Sequence, residues 1–396
     1  MAGASAAYEL AAGARIILLE REWQCGYHAT GRSAASFTEN YGTSVVRRLV
    51  SAGRSFFENP PEGIAEHPLV GPRGMITVAR ADQADLLDEE LARARQFVSS
   101  IVRIGATEAV RLVPVLHPDY VADAIFEPGS MDVDVNALHQ GYLRGFKARG
   151  GQVVTETEVT GIVRQGQAWS VTTRNGSFSA PVILNAAGAW ADEIATMAGL
   201  RPLGLVAKRR TAFNVDAPAG MNIDRWPLVN DVGQEFYFKP DAGNLLVSPA
   251  DAVPTPPSDV QADELDVAVG VDRLQQATKI VVRRVSHRWA GLRTFAPDGS
   301  PVVGRDPSGE TFFWLAGQGG YGIKTAPALS QVIAGLILQG EIPAALRDRG
   351  LSEAELSPRR FATAQPDRHS QRQQEIENHD NTALRRRSAD EPHGDP

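Results

Sequence analysis

The 396 residues carry a formal charge of −7, with 43% hydrophobic and 22% charged residues, the balance of an ordinary globular protein long enough for two domains. That charge argues against nucleic acid or an anionic membrane as the main partner, and a single cysteine, Cys25, excludes an internal disulfide framework or a Cys-based zinc cluster. No apolar run approaches the roughly 20 residues of a spanning helix, and the N-terminus lacks the basic and apolar regions of a signal peptide. A soluble cytoplasmic protein is expected.

In chain order, residues 4–12 read as a small-residue helix and 15–20 as a buried strand, because strands covered on both faces are continuous apolar runs. Residues 26–38, GYHATGRSAASFT, form a Gly/Ser/Thr-rich connection, and 43–59 a helix stopped by the two prolines at 60–61. A strand is expected at 75–80, a helix at 81–97, and another at 135–150, ended by Gly150. A strand meander follows, in QVVTETEVTGIVRQ, AWSVTTRN and SFSAPVILNAAG, with an Asn-Gly hairpin signal at 175–176. Between 203 and 294 alternating strands dominate, with one helix near 261–277, and 327–340 is a final apolar helix whose start Pro327 marks. From about 364 to 396 large apolar residues nearly vanish, so that segment is expected to be disordered.

Four stretches carry chemistry. The opening helix, strand and Glu20 form the second half of a dinucleotide-binding βαβ unit, with Gly3 in the helix-packing position and Glu20 placed to accept from ribose hydroxyls. The first strand and G-x-G turn of such a unit are not in the sequence, and their loss would weaken nucleotide retention. WLAGQGGYGIKTAPALS crowds glycines ahead of a helix, where backbone N–H groups approach an anionic edge closely. In LNAAGAWADEIA, Gly188 sits at a strand–helix turn, and Arg293 lies between apolar neighbours ahead of Pro297-Asp298-Gly299.

Together GYHATGRSAA, FFENPP, NALHQGYLRG, LNAAGAW, RPLGLVAKRR, FYFKPDAG, WAGLRTF, GQGGYGI and LSPRR resemble the D-amino-acid oxidase (DAO) superfamily of FAD-dependent oxidoreductases, and within it the bacterial D-arginine dehydrogenases. The resemblance implies an α/β, mixed α+β fold. A discontinuous Rossmann-like FAD-binding domain (1–45, 130–200, 292–363) would carry an antiparallel-sheet substrate domain (46–129, 201–291).

It makes Glu20 and Arg21 ribose-end residues, and Gly31, Arg32, Ser33 and Ala34 the turn against pyrophosphate and flavin. Val159 would lie by the adenine, Gly188 by the phosphates, and Gly320, Gly322 and Ile323 by the flavin pyrimidine. Arg209 and Arg293 would grip a substrate α-carboxylate, with Tyr237 a hydroxyl donor, Tyr41 a lid aromatic and Lys324 a cation near the carboxylate.

The implied reaction is oxidative deamination of a D-amino acid by hydride transfer from Cα to non-covalent FAD. No metal and no acid–base dyad are called for, and the electron acceptor is left open. Oxidation of another amine or a 2-hydroxy acid, or a non-catalytic flavoprotein remnant, are the alternatives. The relatives' glutamate for a cationic substrate tail is missing from Pro72-Arg73-Gly74-Met75, and Asn230 replaces an apolar contact. Neutral tails should therefore be favoured, unless Glu39 takes over.

Overall fold

Small side chains let the first helix, Ala2–Leu10, sink against its neighbours: Ala6 is fully buried, and a Cβ on Gly3 would stand 3.1 Å from Leu18 and 3.8 Å from Ala186. In the computed structural model, which describes residues 1–309 and 311–361, this helix covers two parallel strand pairs. Ile17–Leu19 runs beside Gln152–Val154, and Ile183–Asn185 beside Phe312–Ala316, which Val302–Arg305 extends antiparallel. The two pairs do not hydrogen-bond to each other, and Gly3 lies where they meet. The long apolar helix Gly322–Leu338 packs on the same assembly through Leu329, Val332 and Ile333.

The other layer is a nine-stranded sheet. Val206–Asp216 pairs along its length with Val285–Phe295, register Val206↔Phe295 to Val215↔Val285, and on its other side with Asn244–Ser248 and Val253–Pro254. Tyr237–Asp241, Leu228–Asp231, Met75–Ala79, Asp123–Glu127 and Val102–Gly105 complete it. Phe213, Phe236, Phe238 and Trp226 form its core with Val267 and Leu274 of helix Glu264–Ala277. The meander Val159–Gln165, Ala168–Thr173, Gly176–Ala180 pairs antiparallel, its hairpin turning at Arg174-Asn175, one residue before the expected Asn175-Gly176. No helix among the described residues is long and apolar enough to cross a membrane. The segment expected to be disordered, 364–396, lies outside the described residues.

Two boundaries differ from expectation. The last helix begins at Gly322, so Pro327 sits inside it. The ring forfeits one bond in the second turn, to the Ile323 carbonyl, where glycines, not the proline, set the helix start. The strand expected through 152–165 breaks at Glu156, whose φ of 53° turns the chain out of one sheet and into the next. Short mixed elements such as Val102–Gly105, Ala106–Leu112 and Asp123–Glu127 have no periodicity long enough to read beforehand.

Helix Val135–Ala148 starts where the Asp134 side chain accepts from the Ala137 N–H at 2.8 Å, and it buries His139. Burial pushes the imidazole down from 6.5 to about 4, so the folded protein holds it neutral while an unfolded chain protonates it. Its contribution is complete above pH 6.5 and is lost as pH falls toward 4. Denaturant unfolding at pH 7 and pH 5 is expected to show this loss, and His139→Met to flatten that part of the slope.

Candidate active site

A cavity of about 1830 Å³ runs between the parallel strands and the large sheet, larger than the roughly 300–1,000 Å³ of a drug-sized site. At one end the N-terminus of helix Ala2–Leu10 faces it, with Glu20, Arg21, Val159 and Gly188. Glu20 Oε1 accepts from the Glu22 N–H at 3.0 Å, while Arg21 lies 4.8 Å over the Trp190 ring and 3.4 Å from Glu158.

The middle wall is the 26–35 connection and the start of helix Gly322–Leu338, contributing Arg32, Ser33, Ala34, Gly320, Gly322 and Ile323. Ser33 Oγ and Gln318 Nε2 are buried there without a hydrogen-bond partner. The Arg32 guanidinium is already committed. It donates to the Tyr27, Val260 and Ala290 carbonyls at 3.2, 3.0 and 3.1 Å and pairs with Asp259. That ties the connection to the large sheet and leaves the backbone around Ser33 for a ligand. Gly31 is not on the cavity wall: its N–H donates to the Gly26 carbonyl at 2.8 Å, and a Cβ there would stand 2.7 Å from that oxygen. Its role is to close the turn.

The far end is built on the paired strands. Lys208, Arg210 and Ala212 face the cavity from Val206–Asp216, and Arg293 from Val285–Phe295. Arg209, expected to grip substrate with Arg293, lies on the opposite face, 2.6 Å from Asp266, 3.6 Å from Asp263 and 3.7 Å from Asp251. Alternation along a strand separates it from its neighbours, and Arg210 takes the cavity position. Burial, then the Arg293 charge, lower the Arg210 pKa, yet a guanidinium stays charged. Its Nε donates to the Asp251 carbonyl at 2.6 Å. Gly320 leaves room for Arg293: a Cβ there would stand 3.1 Å from Nη1.

Tyr237, Tyr41 and Lys324 join them on the wall. Tyr41 packs edge-on against Tyr321, ring centroids 5.3 Å apart, and the Lys324 Nζ lies 4.8 Å over the Tyr41 ring. Nζ donates to the Thr38 carbonyl at 3.1 Å, and Thr38 Oγ1 donates to Glu127 at 2.8 Å. Burial pushes Lys324 down to about 7 against the opposing Glu127 charge, with Arg293 and Arg47 adding to the drop. Burial likewise raises Glu127. Sequence reasoning missed Lys208, Arg210, Thr38 and Glu127. Alternation offered two equivalent faces for the arginines, and Glu127 carried no signal.

Among the described residues, the Pro72-Arg73-Gly74-Met75 stretch brings no free carboxylate to the cavity wall. Arg73 is bound to Asp132 at 2.6 Å and to the Asp224 and Trp226 carbonyls. Glu39 pairs with Arg54 at 2.7 Å, off the wall, whereas Met75 and Asn230 face the cavity. Glu90 faces it too, already paired with Arg93 and accepting from Asn40 at 3.2 Å.

Two helix N-termini, unpartnered Ser33 and Gln318 atoms and an acid at a strand end fit a dinucleotide carrying pyrophosphate and a polar ring. A family model described as FAD dependent oxidoreductase (DAO) matches residues 1–336. The chain is similar to the uncharacterized oxidoreductase YurR of Bacillus subtilis, 25% identical over 85% of this chain and 92% of that one. It is 24% identical to the mitochondrial dimethylglycine dehydrogenase of Rattus norvegicus over 91% of this chain, but spans only 43% of that protein. Among solved structures, the glycine oxidase of Geobacillus kaustophilus shares the fold at a TM-score of 0.76, with 22% identity over 90% of this chain and 95% of that one. The chain thus belongs to the DAO family of FAD-dependent oxidoreductases.

Proposed function

We propose that the protein oxidises the amine of a small D-amino acid, giving an iminium acid that water hydrolyses to a 2-oxo acid and ammonia. The observation that carries this reading is the pair Arg210 and Arg293, charged and facing one cavity beside Tyr41 and Tyr237. Guanidinium forks match a carboxylate geometrically, and charge-assisted bonds are about twice as strong as neutral ones. The relatives support an amine substrate by name, as dimethylglycine dehydrogenase and glycine oxidase; the likeness to D-arginine dehydrogenases supports the D-configuration.

Gly3, Glu20, Arg21, Val159, Gly188, Arg32, Ser33, Ala34, Gly320, Gly322 and Ile323 would hold FAD, which when bound supplies the acceptor for the hydride leaving Cα. Arg210 and Arg293 hold the α-carboxylate, so that Cα presents one hydrogen in a fixed direction. Tyr237 and Tyr41 offer hydroxyls at the same end. Lys324 completes the set. An amino acid arrives as an ammonium ion, and nitrogen must lose a proton before its lone pair can expel hydride. In its neutral form Lys324 takes that proton, and the Thr38 carbonyl then stabilises the ammonium it becomes.

Arg293→Met and Arg210→Met are each expected to cost on the order of 2–5 kcal/mol in kcat/KM, with bound flavin retained by absorbance. Arg209→Met should instead lower Tm without comparable kinetic loss. Equal effects from all three would reassign the clamp.

The pH profile tests Lys324. Because the neutral amine is the competent form, kcat/KM should rise with pH through about 7, and Lys324→Met should abolish that limb. The groups facing Lys324 are the Thr38 carbonyl, Tyr41, Glu127, Arg293 and Arg47. A limb that survives Lys324→Met belongs to another group.

With no free carboxylate among the described residues at the substrate end, D-leucine should exceed D-arginine in kcat/KM. At an effective dielectric near 20, a unit charge about 4 Å away is worth roughly 4 kcal/mol before screening. A higher value for D-arginine would contradict the assigned wall.

A further inference from the structure

We infer that the substrate carries a second carboxylate, held by Lys208, so that the preferred substrate class is a short dicarboxylic amino acid. The inference rests on the carboxylate clamp proposed above and extends it to the residue opposite.

Lys208 and Arg293 are direct partners across the antiparallel strands, and Arg210 follows two residues later on the same face. Like charges directly opposite each other destabilise a strand pair, so three cations on one face need a counter-charge. Among the described residues the protein provides only part of it: Asp251 opposes the Arg210 charge, and its carbonyl accepts from Arg210 Nε at 2.6 Å. Among the described residues, neither Lys208 nor Arg293 has a carboxylate in ion-pair range. The nearest recorded contact of the Lys208 ammonium is the Phe295 ring, 5.6 Å from Nζ to the centroid, a weak partner.

The acids on the cavity wall are committed or placed elsewhere. Glu158 pairs with Arg21 and Arg174 at the other end, and Glu90 pairs with Arg93. Two guanidinium groups already match the charge and most of the acceptor sites of one carboxylate. Lys208 is then left over. Opposed side chains start about 4.5–5.5 Å apart, and same-face residues on one strand roughly 6.6–6.8 Å apart. Long side chains rising from neighbouring positions on one face can bring their cationic heads to both ends of an aspartate- or glutamate-sized molecule.

Titration calorimetry of the full 396-residue protein with succinate and with butyrate, its close analogue lacking one carboxylate, tests this without turnover. Succinate is expected to bind at least about tenfold more tightly. Lys208→Met should bring the two within about threefold, while Lys208→Arg, which keeps the charge, should preserve the preference. Equal affinities in the unaltered protein, or a Lys208→Met protein that weakens both ligands alike, would overturn the inference. Anaerobic flavin bleaching by D-aspartate and D-alanine separates it from the reading it extends. Equal rates for the two amino acids sink the second carboxylate and leave amine oxidation standing. No bleaching by any amine, with the succinate preference intact, sinks amine oxidation and leaves a dicarboxylate site.

Discussion

The register between Val206–Asp216 and Val285–Phe295 is the constraint on which the cationic end of the cavity depends, because it decides which cations share a face. Pairing Lys208 with Arg293 puts Lys208, Arg210 and Arg293 toward the cavity and sends Arg209 to the acids of Asp251, Asp263 and Asp266. A slip of one residue would exchange the two sets. The sheet resists such a slip through its core face, where Phe213 and Val215 are buried with Phe236 and Phe238. Hydrophobic packing on one side of the strand therefore fixes charge placement on the other.

The same strand pair also anchors the middle wall of the cavity. Arg32 donates to the Ala290 carbonyl at 3.1 Å, and the Trp289 indole N–H donates back to the Arg32 carbonyl at 3.0 Å. A glycine- and serine-rich connection has little packing of its own, so these bonds give it a defined position. The arginine in GRSAA thus acts from behind the wall, and it leaves the buried Ser33 hydroxyl without a protein partner.

On another side of the cavity, Lys324 and Thr38 line the wall and form a buried chain with Glu127 behind it. Removing an ammonium from water costs several kcal/mol unless it is compensated. Here Glu127 opposes that cost while Arg293 and Arg47 add to it, and the balance leaves Lys324 titrating near neutrality, at about 7. Such a value gives a side chain access to both protonation states at working pH.

The sequence alone determined the family, the FAD requirement and the long elements: helices Ser44–Glu58 and Val135–Ala148, the hairpin after Ala168–Thr173, and the existence, though not the start, of the apolar helix after Phe312–Ala316. These are legible because caps, glycines and apolar periodicity act over a few neighbouring residues. Gly3, Glu20 and Arg293 stood out by local pattern and Tyr237 and Lys324 by the family resemblance, and all line the cavity. Tertiary structure alone decided between Arg209 and Arg210, since adjacent strand residues have equal local claims and only the partner strand and the core choose a face. It also removed Gly31 from the wall, turned the Arg32 charge inward and brought Glu127 to Thr38 across 89 positions of chain. Desolvation and pairing between distant segments have no local signature, because both depend on what the fold packs around a residue.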